Sequence, residues 1–391
     1  MKKILYVGGF ELPEGNAAAQ RVLQISKILR DLNNEVIFYN RKNLYESEDN
    51  SLIETEYFGF KCYEEKKITS SRELLNQYTN IKIIKEIIVK EKIDLIIAYN
   101  FPSIATLKLI KYCRKRNIKV VGDITEWYGT KGLPLRRKII KGFDSNLRML
   151  FTNKKLDGLI VISDFLENYY YQSLKVKLPP MVDLNDSKWE AVSKLKNGKN
   201  KVSFIYAGSP SSEKENLDLI VEVMDKVSLD YNIHLKIIGI TKNEYFKMYK
   251  RKIYANNLAH VEFKGRIEHS KVIENITKAD YSIIIRPINR VTQAGFPTKL
   301  AESITARTPV LINQEMEVTE FVENNYNGFY VNQNDLEKEI ESIILKRKSM
   351  IFDNTIFSYT NFYHKTEKFI DEVFNEKSNA TSNYAGSSKR S

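Results

Sequence analysis

Apolar and polar residues follow two periods along this chain. Short, nearly continuous apolar runs fall at Lys3 to Val7, Glu35 to Tyr39, Ile93 to Ala98, Ile118 to Val121 and Leu159 to Ile162. The stretches between them are longer and repeat their apolar residues every three or four positions. Runs this short read as buried strands and the longer period as helices, so the alternation predicts an α/β fold with a doubly wound parallel sheet. In the first crossover, Gly8 and Gly9 follow the strand and a polar loop holds Pro13 and Gly15. A helix from Ala17 to Leu29 then carries apolar Val22, Leu23, Ile25, Ile28 and Leu29. Ligands of open parallel sheets sit at the carboxyl ends of the strands, which is where Gly8 and Gly9 lie.

The pattern breaks around Leu178-Pro179-Pro180-Met181-Val182-Asp183, and the polar segment from Asn185 to Asn200 reads as a connection. A second series starts at Lys201, with strands expected at Val202 to Ala207, His234 to Ile240, Val261 to Phe263 and Tyr281 to Ile285. A chain of 391 residues exceeds the size at which one core keeps growing, so two domains are expected, residues 1–184 and 201–357, joined by 185–200. Residues 358–376 hold a last amphipathic helix. Residues 377–391, rich in Ser, Asn, Ala and Gly, have no pattern that buries a core and read as a disordered tail.

Composition narrows the class. A hydrophobic content of 42% belongs to a folded protein, and no apolar run reaches the roughly eighteen residues of a membrane span. Cys62 and Cys113 are too few for a disulfide framework and lack a paired spacing, which points to a reducing, cytoplasmic setting and away from structural zinc. The apolar start ends at Gly8, Gly9 and Glu11, too early for a signal peptide. With 61 Lys and Arg against 49 Asp and Glu, net +12, the chain favours anionic partners: a nucleotide, a nucleic acid or a lipid surface. No recognition-helix or aromatic RNA-binding pattern supports nucleic acid.

The positive excess is densest between Lys131 and Lys155. There Lys131, Arg136, Arg137, Lys138, Lys141, Arg148, Lys154 and Lys155 face one acid, Asp144, and Leu133, Leu135, Ile139, Ile140 and Phe143 interleave with them. The segment reads either as an amphipathic element that meets an anionic membrane through Arg136, Arg137, Lys138 and Lys141, or as an ordinary solvated face.

The most specific chemistry follows the Tyr281 to Ile285 strand. Gln293-Ala294-Gly295-Phe296-Pro297-Thr298-Lys299-Leu300-Ala301-Glu302 reads as a glycine loop running into a helix, with Pro297 at the first helical position. The amides of Thr298, Lys299 and Leu300 then have no partner inside the helix, and such an end attracts phosphate. Lys299 adds a positive charge. Glu302, one turn on, offers a carboxylate that accepts hydrogen bonds from sugar hydroxyls. A phosphate-binding end beside a hydroxyl acceptor describes a nucleotide-sugar site.

Together with Thr308-Pro309-Val310-Leu311-Ile312, Glu320-Phe321-Val322 and Asn327-Gly328-Phe329-Tyr330, this order of residues resembles the retaining glycosyltransferases of family 4. The resemblance implies a GT-B fold: two Rossmann-like domains facing across a cleft, with a C-terminal helix that crosses back to the first. It implies a nucleotide-diphosphate sugar as co-substrate, with no cofactor and no metal. Glu302, at the second position of the family's Glu-x7-Glu motif, is then the residue that binds the donor ribose. Ala294 stands at the first position, in a Gly-Phe-Pro-Ser/Thr-Lys version of the loop, which implies altered sugar contacts. Lys214, in the loop after Gly208, takes the place of a diphosphate-binding lysine. The arginine that precedes it in the family is absent, so Lys299 or Arg286 is expected to supply that charge. Gly8, Gly9, Gly208, Gly265, Arg266, Gly295, Phe296, Pro297 and Thr298 complete the implied donor surface, with Gly265 and Arg266 where the family contacts the nucleobase.

No histidine precedes His234, so the histidine that many family members place near the donor sugar is missing. Asp123 and Glu126 stand in that region, with Trp127 and Tyr128 offering a flat surface for a sugar ring; a carboxylate at a strand end serves equally as a helix cap. Lys214, Lys299, Asp123 and Glu126 are thus the expected catalytic residues. The acceptor is expected to be a glycan or a polyprenyl-linked chain in bacterial surface-polysaccharide synthesis. Enzymes of this kind let the departing phosphate take the acceptor proton, so no separate base is called for. A non-catalytic partner of the same fold, binding nucleotide sugar or glycan without transfer, stays open on the strength of Ala294 and the absent arginine, although the retention of Lys214, Lys299 and Glu302 speaks against it.

Overall fold

The computed structural model describes residues 1–13, 15–42, 52–66, 78–132, 134–193, 201–211, 213–249, 258–316, 318–347 and 350–375. The chain divides into two compact units, one of Met1–Met181 with Tyr359–Ser391 and one of Val182–Ser358.

The first unit is built on an eight-stranded sheet: β1 Lys3–Gly8, β2 Glu35–Lys42, β3 Ile53–Tyr57, β4 Phe60–Lys66, β5 Leu95–Tyr99, β6 Lys119–Ile124, β7 Gly158–Val161 and β8 Lys175–Lys177, in the order β3-β4-β2-β1-β5-β6-β7-β8. Its main helices are α1 Ala17–Asp31, α2 Lys82–Glu91, α3 Ser103–Arg114, α4 Leu135–Leu147 and α5 Asp164–Tyr169. Strands pair in parallel except β3 with β4. Alternate residues of β1 explain the continuous apolar run. Ile4 and Tyr6 join a core with Val22, Ile25 and Ile28 of α1, whereas Leu5 and Val7 join one with Ile84 and Ile88 of α2 and Leu109 of α3. A strand covered on both faces has no polar side to show. Asn16 starts α1, its side chain accepting a hydrogen bond from the Ala19 amide at 2.9 Å.

The β3–β4 hairpin and β8 were not legible as apolar runs. On β3, Glu54 and Glu56 are exposed and alternate with half-buried residues, as suits an edge strand that must not recruit another chain. The last helix, Tyr363–Asn375, belongs to this unit and buries Phe369, Ile370 and Val373 in the core that holds Ile4 and Tyr6.

The second unit carries six parallel strands, β9 Val202–Ala207, β10 Ile233–Ile238, β11 Val261–Gly265, β12 Tyr281–Ile284, β13 Val310–Asn313 and β14 Gly328–Val331, in the order β11-β10-β9-β12-β13-β14. Its helices are α6 Leu217–Val227, α7 Lys242–Tyr249, α8 His269–Lys278, α9 Arg290–Ala294, α10 Thr298–Thr305 and α11 Leu336–Leu345. This unit begins earlier than the sequence pattern indicated. Part of the expected linker forms a short 3-10 turn, Ser187–Ser193, and Trp189 with Val182 is buried in a core shared with Ile205 and Ile273. Trp189 stands between Lys188 and Glu190, and the few apolar residues near it set up no helical or strand period, so its burial had no signature. Residues 194–200 and the tail from 377 lie outside the described residues. Among the described residues, no helix is long and apolar enough to cross a membrane.

Candidate functional site

In both sheets the strand order reverses, between β1 and β5 in the first unit and between β9 and β12 in the second. Crossover helices leave opposite faces at such a point, which opens a crevice at the carboxyl ends of the two strands. The two crevices are chemically unlike.

In the second unit, β9, β10 and β11 each run into or end on a glycine with positive φ: Gly208 at 147°, Gly239 at 106° and Gly265 at 64°. The Gly208 amide donates to Ile238 O at 3.0 Å and the Gly239 amide to Gly265 O at 2.7 Å. A Cβ on Gly239 would lie 2.1 Å from Gly208 O, so the tight bed of strand ends depends on glycine there.

Lys299 lies on this bed. It is buried in the first turn of α10, and a Cβ on Gly208 would stand 3.4 Å from its Nζ. The ammonium is 2.9 Å from Glu215 Oε1 and 4.1 Å from the centroid of the Tyr206 ring. Burial lowers its pKa below the ordinary lysine value, and the Glu215 carboxylate opposes that shift. Glu215 Oε2 and the Tyr206 hydroxyl are buried with no hydrogen-bond partner among the described residues. Leaving such groups unsatisfied costs about 1–3 kcal/mol each, so this crevice gains from anything that hydrogen-bonds to them.

Arg286, just beyond β12, is buried as well. Its Nε donates to Lys214 O at 3.3 Å and its Nη1 to Thr292 O at 3.4 Å, and Nε lies 3.9 Å from Glu215 Oε1. It therefore ties together the two loops that frame the crevice. Lys214 is half-buried beside Glu215, its amide donating to Ser211 O at 3.0 Å.

Pro297 precedes α10 rather than opening it, and Leu300 N donates to Pro297 O at 2.9 Å. Of the three amides expected to point outward, Leu300 is thus already used, while Thr298 and Lys299 keep first-turn amides that the helix itself cannot satisfy. Phe296 packs edge-on against Phe321 and Phe357 and anchors the loop with Gly295. Ala294 is fully buried at the end of α9, whose start is closed by reciprocal hydrogen bonds between Asn289 and Thr292. Arg266 is exposed after β11.

One turn along α10, Glu302 Oε1 is 2.9 Å from Nε2 of His269, the first residue of α8. Neither His269 nor Glu215 was singled out from sequence. His269 follows the Gly265-Arg266 loop by three residues, a signal that becomes readable only once α8 and α10 are known to be neighbours. Glu215 stands next to Lys214 and looks like any loop carboxylate.

In the first unit the carboxylate at the strand ends is taken up from within. Asp123, expected to hold sugar or acceptor hydroxyls, is fully buried on β6. Its Oδ2 accepts from the Tyr6 hydroxyl at 2.6 Å, and its Oδ1 accepts from Arg21 Nε at 2.9 Å and lies 2.8 Å from Nη2. Arg21 Nη1 donates in turn to Leu178 O at 2.7 Å. Asp123 is spent on an interior ion pair. Arg21, four residues before Ile25 on the apolar face of α1, was the unread signal.

Trp127, expected to offer a flat surface for a sugar ring, is instead buried, with Tyr169 edge-on at 5.1 Å. Tyr128 lies under two cations, Lys141 at 4.4 Å and Arg148 at 4.9 Å. Glu126 is half-buried, and its carbonyl accepts from Arg148 Nη2 at 3.2 Å. Gly8 ends β1 where a Cβ would meet Tyr99 Cβ at 2.9 Å, and Gly9 is exposed.

Two Rossmann-like units of this kind in one chain make a GT-B fold. The structure resembles sucrose-phosphate synthase from Thermosynechococcus elongatus over 96% of this chain and 99% of that one, with a TM-score of 0.73 and 14% identity. It also resembles HepE of Anabaena in complex with UDP, over 95% and 100% of the two chains (TM-score 0.63, 12% identity). A glycosyltransferase from Rickettsia africae matches over 96% of each chain (TM-score 0.59, 13% identity). At these identities the likeness is one of fold. In sequence, residues 187–351, inside the second unit, match the family described as Glycosyl transferases group 1. No curated protein sequence matches the chain.

Proposed function

We propose that the protein is a retaining, metal-independent glycosyltransferase. Its donor is a nucleotide-diphosphate sugar bound by the second unit, and its acceptor is a glycan or a polyprenyl-linked chain of a surface polysaccharide. The observation that carries this reading is the Lys299 ammonium lying on the glycine-built strand ends at the β9/β12 switch point, beside the first-turn amides of α10. The match of residues 187–351 to a glycosyltransferase family supports it.

Transfer leaves negative charge on the departing diphosphate. A fixed ammonium and a helix start stabilise that charge in a site with little water, where they act more strongly than in bulk solvent. Lys299 is the nearer charge, and Lys214 shares the load from the adjoining loop. With no donor bound, Glu215 holds the Lys299 ammonium in place; a phosphate oxygen would compete for it. Glu302 accepts from the donor ribose, with His269 fixing the orientation of its carboxylate. The sugar lies beside Gly295, and the leaving phosphate takes the acceptor proton. Among similar folds, HepE has been solved with UDP-glucose, which makes uridine donors the first to test.

The experiment is a thermal-stability screen of UDP-, GDP- and ADP-sugars, run with and without EDTA. A ligand at a hundred times its Kd adds about 2.7 kcal/mol. The reading expects one nucleotide class to raise Tm equally in EDTA, and the matching sugar to be transferred with its anomeric configuration kept. Stabilisation by none of them, or an inverted product, would reject it.

A further inference from the structure

The basic segment that follows β6 is not part of the donor crevice, and its structure says more than its sequence. α4 leaves a row of large apolar side chains in solvent: Leu135 is 72% exposed, Ile139 62% and Phe143 63%. Each follows the last by four residues, so the three form one stripe along the helix. Leu150 and Phe151, in the π-helical turn Arg148–Thr152 that continues α4, are 53% and 48% exposed. Burying such a stripe is the rule for an amphipathic helix, and here the stripe is turned outward.

The charges are arranged around it. At 3.6 residues per turn, Arg136 falls on one side of the stripe and Lys138 on the other. Both are exposed, as are Lys131, Arg137, Lys154 and Lys155. Two of the eight basic residues are placed differently. Arg148 is buried and donates to Glu126 O, and Lys141 is half-buried over the Tyr128 ring. The only carboxylate of the segment, Asp144, is turned inward, its Oδ1 accepting from the Ser103 amide at 2.8 Å. The outward face therefore combines apolar side chains with positive charge and carries no carboxylate. Leu133 lies outside the described residues.

An apolar row flanked by charges of one, positive sign is the composition of a helix that lies in an anionic lipid interface. From that complementarity we infer that α4 docks on an anionic lipid surface, with Leu135, Ile139 and Phe143 entering the headgroup–acyl boundary and Arg136 and Lys138 on the lipid phosphates. The inference stands on the first unit alone and is independent of the donor assignment.

The test is co-sedimentation of the full chain with vesicles of phosphatidylglycerol and phosphatidylcholine, or of phosphatidylcholine alone, at low and high salt. The parent should bind the acidic vesicles only, and high salt should release most of it, because the attraction fades within about a Debye length. The Leu135→Ser, Ile139→Ser, Phe143→Ser variant should lose binding even at low salt. The Arg136→Ser, Lys138→Ser variant should partition about twenty-five-fold less, about five-fold for each charge. These side chains are exposed, so melting should change little; an unchanged melting curve shows that lost binding is not lost fold. Equal binding by the triple variant, or a parent that ignores lipid charge, overturns the inference. So does a concentration-dependent dimer that the triple variant abolishes, because the stripe would then belong to a second copy of this chain.

Discussion

The two strand-end crevices occupy equivalent places in two sheets of related topology, yet they use their buried carboxylates differently. In the first unit both oxygens of Asp123 are taken up by Tyr6 and Arg21, while the buried amide of Asn40, the β2 residue paired with Gly8, has no hydrogen-bond partner among the described residues. In the second, Lys299 and Glu215 pair, but Glu215 Oε2 and the Tyr206 hydroxyl have no hydrogen-bond partner among the described residues, and the strand ends are glycine backbone. The difference shows how one fold can spend a buried carboxylate wholly on an interior arginine in one place and leave one of its oxygens open to a donor in another.

Four tests would break or sharpen that contrast. The largest effect is expected for Asp123→Ala. It leaves Arg21 buried and uncompensated, which costs about 3–5 kcal/mol of stability. Urea unfolding should show the loss, and donor affinity measured well below the transition should not move. Replacing Asp123 and Arg21 together by leucine should recover most of the stability.

Next is Lys299→Ala. It removes the ammonium from buried Glu215 and leaves the Arg286 guanidinium 3.9 Å away, so stability should fall as well; turnover measured well below the melting transition should fall by about a hundred- to a thousand-fold, because the charge Lys299 would meet develops in the transition state. Steady-state kinetics with the donor found by screening decides this, and a variant with full turnover removes Lys299 from the mechanism.

A smaller effect is expected at the ribose. Glu302→Ala should weaken donor binding by about 1.5–3 kcal/mol, the worth of hydrogen bonds to a charged group. His269→Ala should lose part of that, and His269→Gln, which keeps a donor to Glu302, should recover it. Calorimetric titration reads all three, and an equal loss in the alanine and glutamine variants would argue that His269 only packs.

The smallest effect concerns pH. Burial, the largest cause at each, lowers the pKa of His234 and of His260 below 6.5, against the pull of Glu262 on His234 and Asp225 on His260. The unfolded chain then binds more protons than the folded one in the window below 6.5, so the second unit loses stability as pH falls through it. The first unit has His364 as its single histidine. The chain has two tryptophans, Trp127 in the first unit and Trp189 in the second. In a Trp127→Phe background, fluorescence of Trp189 should report an earlier urea midpoint at pH 5 than at pH 7.

Most of the sheet was legible because strands buried on both faces leave an unbroken apolar run. The edge hairpin β3–β4 and the short β8 left no such run. At the site, the glycines, Lys299 and Glu302 could be read because they sit within a few residues of a strand end or a helix start. Their partners could not. Arg21 is 102 residues from Asp123, and His269 is 33 from Glu302, so each pairing exists only after the sheet has brought separate crossovers together. Asp123 was misread for that reason: a carboxylate ending a strand looks the same in sequence whether it faces a substrate or an arginine.

Hydrogen exchange on the full chain, with and without a saturating nucleoside diphosphate, tests the central claim most directly. If the second unit holds the donor, protection will appear at residues 208–216, 265–269 and 296–302, and the strand ends of the first unit near residues 8–13 and 123–128 will exchange as before. Protection confined to the first unit, or none with any nucleoside diphosphate, would contradict it.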